Sequence, residues 1–211
     1  AAVAIDNARL YEELRRSEER LAGEVAFAQR IQRALLPAAP PRRVKGVDVA
    51  ARFEPARELG GDFYDFLALE PHTLSVAVAD VSGKGVPAAL YGAFAGELVR
   101  SRTFRRRYTK VRTGPASILE SMNTILHERR LENYYCTLCY AHFDFRRRSV
   151  TLSNSGLPYP LHASPEGCGR LQAPGVPLGS LPGTTYDELT VELNAGDVFV
   201  FHTDGITETM N

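Results

Sequence analysis

The order in which strand-like and helix-like segments follow one another constrains this chain more than any other feature. Strand-like runs at 47–54, 63–69 and 74–80, the last reading Leu-Ser-Val-Ala-Val-Ala-Asp, come first with no helical pattern between them. Two helical patterns follow, from Pro87 to about Thr103 and from Pro115 to about Arg130, the second carrying Ile118, Leu119, Met122, Ile125 and Leu126. Pro87 suits a first helical turn, where its missing N–H is not needed. Strand-like runs then resume at 135–145, 149–154, 186–193 and 197–202. Successive strands pair antiparallel through short connections, whereas parallel pairs need a crossover each time. The order therefore predicts an α+β fold of packed, largely antiparallel sheets rather than a βαβ repeat.

A different pattern occupies residues 1–36, which hold no Pro and a single Gly, Gly23. Leu10, Leu14, Leu21, Val25, Ala28, Ile31 and Leu35 recur by threes and fours, the spacing of one helical face. As one helix this segment extends about 54 Å. Ser17 and Glu24 interrupt the seam, so two readings stand: an amphipathic helix packed on the domain, or a linker pairing with a second copy as an imperfect coiled coil. Pro37, Pro40 and Pro41 end the helix and divide a linker, 1–36, from a domain over 37–211.

Composition narrows the function classes. Lys+Arg and Asp+Glu both number 25, so no overall basic field recruits nucleic acid. No apolar run reaches the roughly 18 residues of a membrane span. Three cysteines, an odd count, argue against a disulfide framework and for a reducing, cytoplasmic setting. Cys136 and Cys139 stand three apart on a predicted strand and point to opposite faces, which disfavours a shared zinc ion. Gly83-Lys84-Gly85 has Val78 and Gly85 where a phosphate-binding P-loop needs Gly and Ser or Thr. Arg105, Arg106, Arg107, Lys110 and Arg112 form either a solvated loop or a dock for an acidic surface, and Arg146-Arg147-Arg148 reads as a hairpin cap.

Three aspartates stand out by position. Asp80 ends one strand-like run and precedes Val-Ser-Gly-Lys-Gly; Asp204 follows another and precedes Gly205; Asp62 follows Gly60-Gly61 at the start of a third. Each alone could be an Asx turn at a strand end. Brought together they would repel one another and call for raised pKa values or a hard divalent cation. Spacing leaves that choice open.

Gly-Gly-Asp-Phe-Tyr-Asp (60–65), Val-Ala-Asp-Val-Ser-Gly-Lys-Gly-Val-Pro-Ala-Ala-Leu (78–90) and Thr-Asp-Gly-Ile-Thr-Glu (203–208) resemble, in order and spacing, three motifs of the SpoIIE/RsbU-type bacterial serine/threonine phosphatases, relatives of the type 2C metal-dependent phosphatases. The likeness runs over about residues 27–211. It implies two packed β-sheets flanked by helices and two Mn2+ or Mg2+ ions. The ligands would be Asp62, Asp80, Asp204 and the Val81 backbone carbonyl, with Asp80 bridging. Asp65, Gly61 and Gly205 would support them from behind, Asp65 through a water, and Glu208 would be structural or regulatory. The implied reaction is hydrolysis of phosphoserine or phosphothreonine by a metal-activated water, on a phosphorylated STAS-domain antagonist of an anti-sigma factor. The competing reading is a non-catalytic partner-binding or dimerising module.

Further expectations stand beside this likeness. Asn154-Ser155-Gly156-Leu157 carries Leu where the family has His, so that His has no counterpart. The family closes with an Asp-Asp-containing strand, so a chain stopping at Asn211 is expected to lack the domain's C-terminal end and to hold one ion weakly. Ala-Ile-Asp-Asn-Ala-Arg-Leu-Tyr (4–11) is similar to the closing helix of a GAF domain, which implies an upstream sensor. His202, two residues before Asp204, would share its face by strand alternation. The helices over 87–130 would set the Val81 carbonyl, biased in turn by the linker.

Overall fold

Alternation along the strands decides how the layers stack. The computed structural model describes residues 2–39, 41, 44, 46–56, 58–68, 70–105, 114–129 and 134–207. Its strands in chain order are β1 (Phe63–Leu67), β2 (Thr73–Val81), β3 (Cys136–Asp144), β4 (Ser149–Asn154), β5 (Leu161–Ser164), β6 (Gly167–Arg170), β7 (Leu189–Glu192) and β8 (Val198–Val200). The larger sheet runs β1-β2-β3-β4-β7 and the smaller β6-β5-β8. Every strand pairing is antiparallel, as the succession of strand-like runs predicts.

Helices α2 (Val86–Arg105) and α3 (Pro115–Arg129) cover one face of the larger sheet. There Ala77, Ala79 and Val81 of β2 and Leu138 and Tyr140 of β3 meet Ala95 and Val99 of α2 and Leu119 and Met122 of α3. The alternate residues Leu74, Val76, Cys139, Ala141, Phe143, Val150 and Leu152 face the smaller sheet, packing with Phe199 and Phe201. Phe199 meets Phe143 edge-on at 5.3 Å between ring centroids, a favoured aromatic geometry. Each fully buried Leu or Ile contributes roughly 1.5–3 kcal/mol, so these two clusters carry most of the drive to fold. Cys136 and Cys139 lie in different clusters, as three-residue spacing on a strand requires.

Several expectations need correction. Residues 47–54 form no ladder; Val47 and Val49 lie against the inter-sheet cluster as extended chain without a partner strand. The runs at 186–193 and 197–202 shorten to β7 and β8, and the β5–β6 hairpin was not foreseen. Val198 and Val200 of β8 are exposed. The Arg146–Arg148 turn does close the β3–β4 hairpin, with Asp144 Oδ1 accepting from the Arg146 and Arg147 amides at 3.1 and 3.0 Å. The basic stretch expected over 105–112 falls almost wholly outside the described residues.

The predicted N-terminal helix is present as α1 (Ala2–Leu35). Leu10, Leu14 and Leu21 are each more than half exposed, and α1 reaches the body near its C-terminal end. No helix among the described residues is long and apolar enough to cross a membrane.

Candidate metal centre

The β1–β2 register brings the first two aspartates together. Phe63 stands opposite Ala79, and just beyond that pair the Asp62 and Asp80 carboxyl groups come within hydrogen-bond reach. Facing residues on antiparallel strands have Cβ atoms about 4.5–5.5 Å apart. The Asp80 carboxyl is pushed up to about 7, first by burial, then by a hydrogen bond with Asp62 and the charges of Asp62 and Asp204. Two carboxyl groups this close do not both ionise at neutral pH without a countercharge. The same negative charge reaches the Cys136 thiol, which burial, Asp80 and Asp62 all push upward.

The third aspartate arrives from the smaller sheet. Past β8 the chain enters a short 3-10 turn, Asp204–Ile206, with Asp204 exposed. Just before it, the Thr203 hydroxyl donates to Asp62 Oδ2 at 2.7 Å, a link between residues 141 positions apart. Asp204 acts on Asp80 through its charge, and among the described residues no three His, Cys, Asp or Glu side chains close into a complete ligating cluster. The donors are nonetheless hard oxygens, and burial with the nearby Asp62 and Asp204 holds the Asp80 carboxyl up to about 7. That chemistry fits Mg2+ or Mn2+, which favour oxygen ligands.

Backbone packing fixes the neighbouring atoms. A Cβ on Gly61 would overlap the Val81 carbonyl oxygen, and one on Gly92 of α2 would come within 2.8 Å of the Gly61 carbonyl oxygen. Only glycine permits both approaches, so Gly61 is wedged between the end of β2 and α2. At Gly205 an added Cβ would meet only Thr203 Oγ1, at an ordinary 3.8 Å.

Other sequence candidates lie elsewhere. Asp65 does not stand behind the aspartates through a water. Three residues from Asp62, it is turned by strand alternation to the helix side, buried and ion-paired with Arg100 of α2. His202 does not share a strand face with Asp204, because β8 ends at Val200; its Nδ1 lies 3.1 Å from the Thr203 carbonyl oxygen. Leu157 is buried in the inter-sheet cluster, its backbone N–H and carbonyl both bonded by the Asn154 amide. Glu208 lies outside the described residues.

Sequence reading missed three side chains here: Thr203, Gln32 and Arg100. The Gln32 amide of α1 pairs with the Gly60 backbone, donating to its carbonyl at 2.6 Å and accepting from its N–H at 3.3 Å. Arg100 joins Asp65 to the Leu35 carbonyl, the latter at 2.6 Å. Together they fasten the end of α1 to the turn before Asp62 and to α2. Gln32, Asp62, Asp65, Gly96 and Arg100 line one pocket there. A glutamine and an arginine within helical patterns give no local signal of such contacts.

Comparison with known proteins bears on the family and the fold. The pattern of the family described as stage II sporulation protein E (SpoIIE) matches residues 70–211. The chain is 26% identical over 200 residues to phosphoserine phosphatase RsbU of Bacillus subtilis (strain 168), covering 94% of this chain and 57% of RsbU. It thus spans little more than half of that relative. Among solved structures, the SiaA-PP2C domain of Pseudomonas aeruginosa superposes with a TM-score of 0.72 at 22% identity, covering 90% of this chain and 74% of that one. RsbX, solved in complex with magnesium, gives a TM-score of 0.58 at 24% identity, covering 71% and 69%. At such identities these two structures speak for the fold.

Proposed function

Because the chain belongs to the SpoIIE family, we propose that it is a metal-dependent protein serine/threonine phosphatase. Its centre is built on Asp62, Asp80, Asp204 and the Val81 carbonyl. The observation carrying this reading is the Asp80 carboxyl, which is hydrogen-bonded with Asp62 and feels the charge of Asp204. Two Mn2+ or Mg2+ ions, when bound, would supply a water acidic enough to attack phosphorus at neutral pH and positive charge for the phosphoryl oxygens. The chain's own part is placement. The β1–β2 register sets Asp80 against Asp62, Thr203 holds Asp62, and the wedge at Gly61 fixes the Val81 backbone. Cys136 and Cys139 are buried, and Cys168 sits on the remote β6, so no thiol stands ready as nucleophile.

The likeness to a phosphoserine phosphatase supports a phosphoprotein substrate, and we take it to be a STAS-domain antagonist of an anti-sigma factor. An upstream sensor domain of GAF type, a linker over 1–36, a catalytic domain over 37–211 and a cytoplasmic setting complete the reading. Asp80→Asn tests it. Hydrolysis of the phosphorylated partner with Mn2+ should fall to near background while circular dichroism stays unchanged. A variant as active as its parent would overturn the role given to Asp80. The second reading, a non-catalytic binding module, draws on the incomplete cluster among the described residues. A folded parent chain that binds the phosphoprotein, yet neither takes up Mn2+ nor hydrolyses it, would favour that reading.

A further inference from the structure

We propose that Thr203 is a positioning residue for the metal centre: its hydroxyl fixes one oxygen of Asp62 so that the other is presented to Asp80 and the cation. This rests on the phosphatase reading of the aspartates. The bond is short, 2.7 Å from Thr203 Oγ1 to Asp62 Oδ2, as hydrogen bonds to carboxylates are. Thr203 occupies the N-cap position of the Asp204–Ile206 turn, where a threonine ordinarily turns its side-chain oxygen to the free N–H groups of its own helix. Here it makes no such side-chain cap bond. The local explanation for a threonine at this position therefore fails, and its hydroxyl serves a partner 141 positions away.

Two consequences follow from where the bond sits. Asp62 lies just outside the β1 ladder, and the Thr203 hydroxyl reaches its side chain from beyond the smaller sheet. Thr203 is also the residue before Asp204, so the bond that orients Asp62 ties down the turn carrying Asp204. Partners lying just behind metal ligands fix their orientation, and losing one typically costs 10–100-fold in metal affinity.

The test is Mn2+ titration of this chain by calorimetry, with free Mn2+ counted by electron paramagnetic resonance, for the parent, Thr203→Val and Thr203→Ser. Valine keeps the branched shape and removes the donor; serine keeps the donor. Expected results are a 10–100-fold weaker affinity for Thr203→Val, near-parental affinity for Thr203→Ser, and unchanged far-ultraviolet circular dichroism for both. Parental affinity in Thr203→Val overturns the proposal, and so does a loss in Thr203→Ser equal to that in Thr203→Val. Should valine unfold the chain, Thr203→Ala carries the same expectation and the same refutation. A folded parent that takes up no Mn2+ instead brings down the metal centre itself, a failure read in a different arm.

Discussion

Asp80 and Gly61 act on the site in opposite ways, one through charge and the other through the absence of a side chain. Folding raises the Asp80 carboxyl from 3.8 to about 7. In the metal-free chain its contribution to stability is therefore fully present below about pH 4 and is lost as pH rises through about 7. A cation at this carboxylate must displace the proton, so Mn2+ binding at pH 6 should release close to one proton per site. Calorimetry in buffers of differing ionisation heat reads this directly, and Asp80→Asn should abolish the release. Gly61→Ala should be harmful for a steric reason, since its Cβ would overlap the Val81 carbonyl oxygen. A loss of about 1–3 kcal/mol, as for overpacked cores, should appear as a lower thermal midpoint, with Mn2+ affinity falling too. The three aspartates were legible in the sequence as strand ends beside glycines. Their placement was not, because Asp62 meets Asp80 across two strand ends and Asp204, exposed beyond the smaller sheet, acts on Asp80 through its charge. Asp65 read as a support behind the ligands, but an offset of three along a strand put it on the other face, paired with Arg100.

At the scale of elements, α1 through α3 and β1 through β4 could be read from periodicity because each is long and patterned. The β5–β6 hairpin could not. Leu161–Ser164 is four residues long, and Gly167–Arg170 has exposed glycines and no apolar alternation. Residues 47–54 differ the other way: their pattern is strand-like, yet Val47 and Val49 are half-buried against the inter-sheet cluster in extended chain that forms no ladder. Contacts between elements were equally silent. Gln32 and Arg100 fasten α1 to the body, and their removal should separate two effects. Gln32→Ala should leave the midpoint within a few degrees, given net hydrogen-bond contributions of about 1 kcal/mol, while changing phosphatase turnover. Arg100→Met leaves Asp65 buried without its cation, and breaking such a pair costs about 3–5 kcal/mol, less here because Arg100 is partly exposed. Thermal scans and turnover on the same two variants check both; unaltered turnover in Gln32→Ala would disconnect the linker from the site.

At the scale of the whole molecule, an exposed apolar stripe on a helix standing clear of the body calls for a partner. Leu10, Leu14 and Leu21 lie in solvent at 57%, 54% and 51% exposure, spaced as a coiled-coil seam with polar interruptions. The chain should therefore be a dimer at micromolar concentration by light scattering, and Leu14→Lys with Leu21→Lys should render it monomeric with the domain still folded. The attachment of α1 gives this assembly a mechanical meaning. Gln32 grips the turn that leads to Asp62, while one helical turn later the Leu35 carbonyl is gripped from α2. A rod about 51 Å long is thus bolted at its tip to two separate pieces of the site. A twist of the rod would bear on the contact between those two pieces, where Gly61 lies against Gly92.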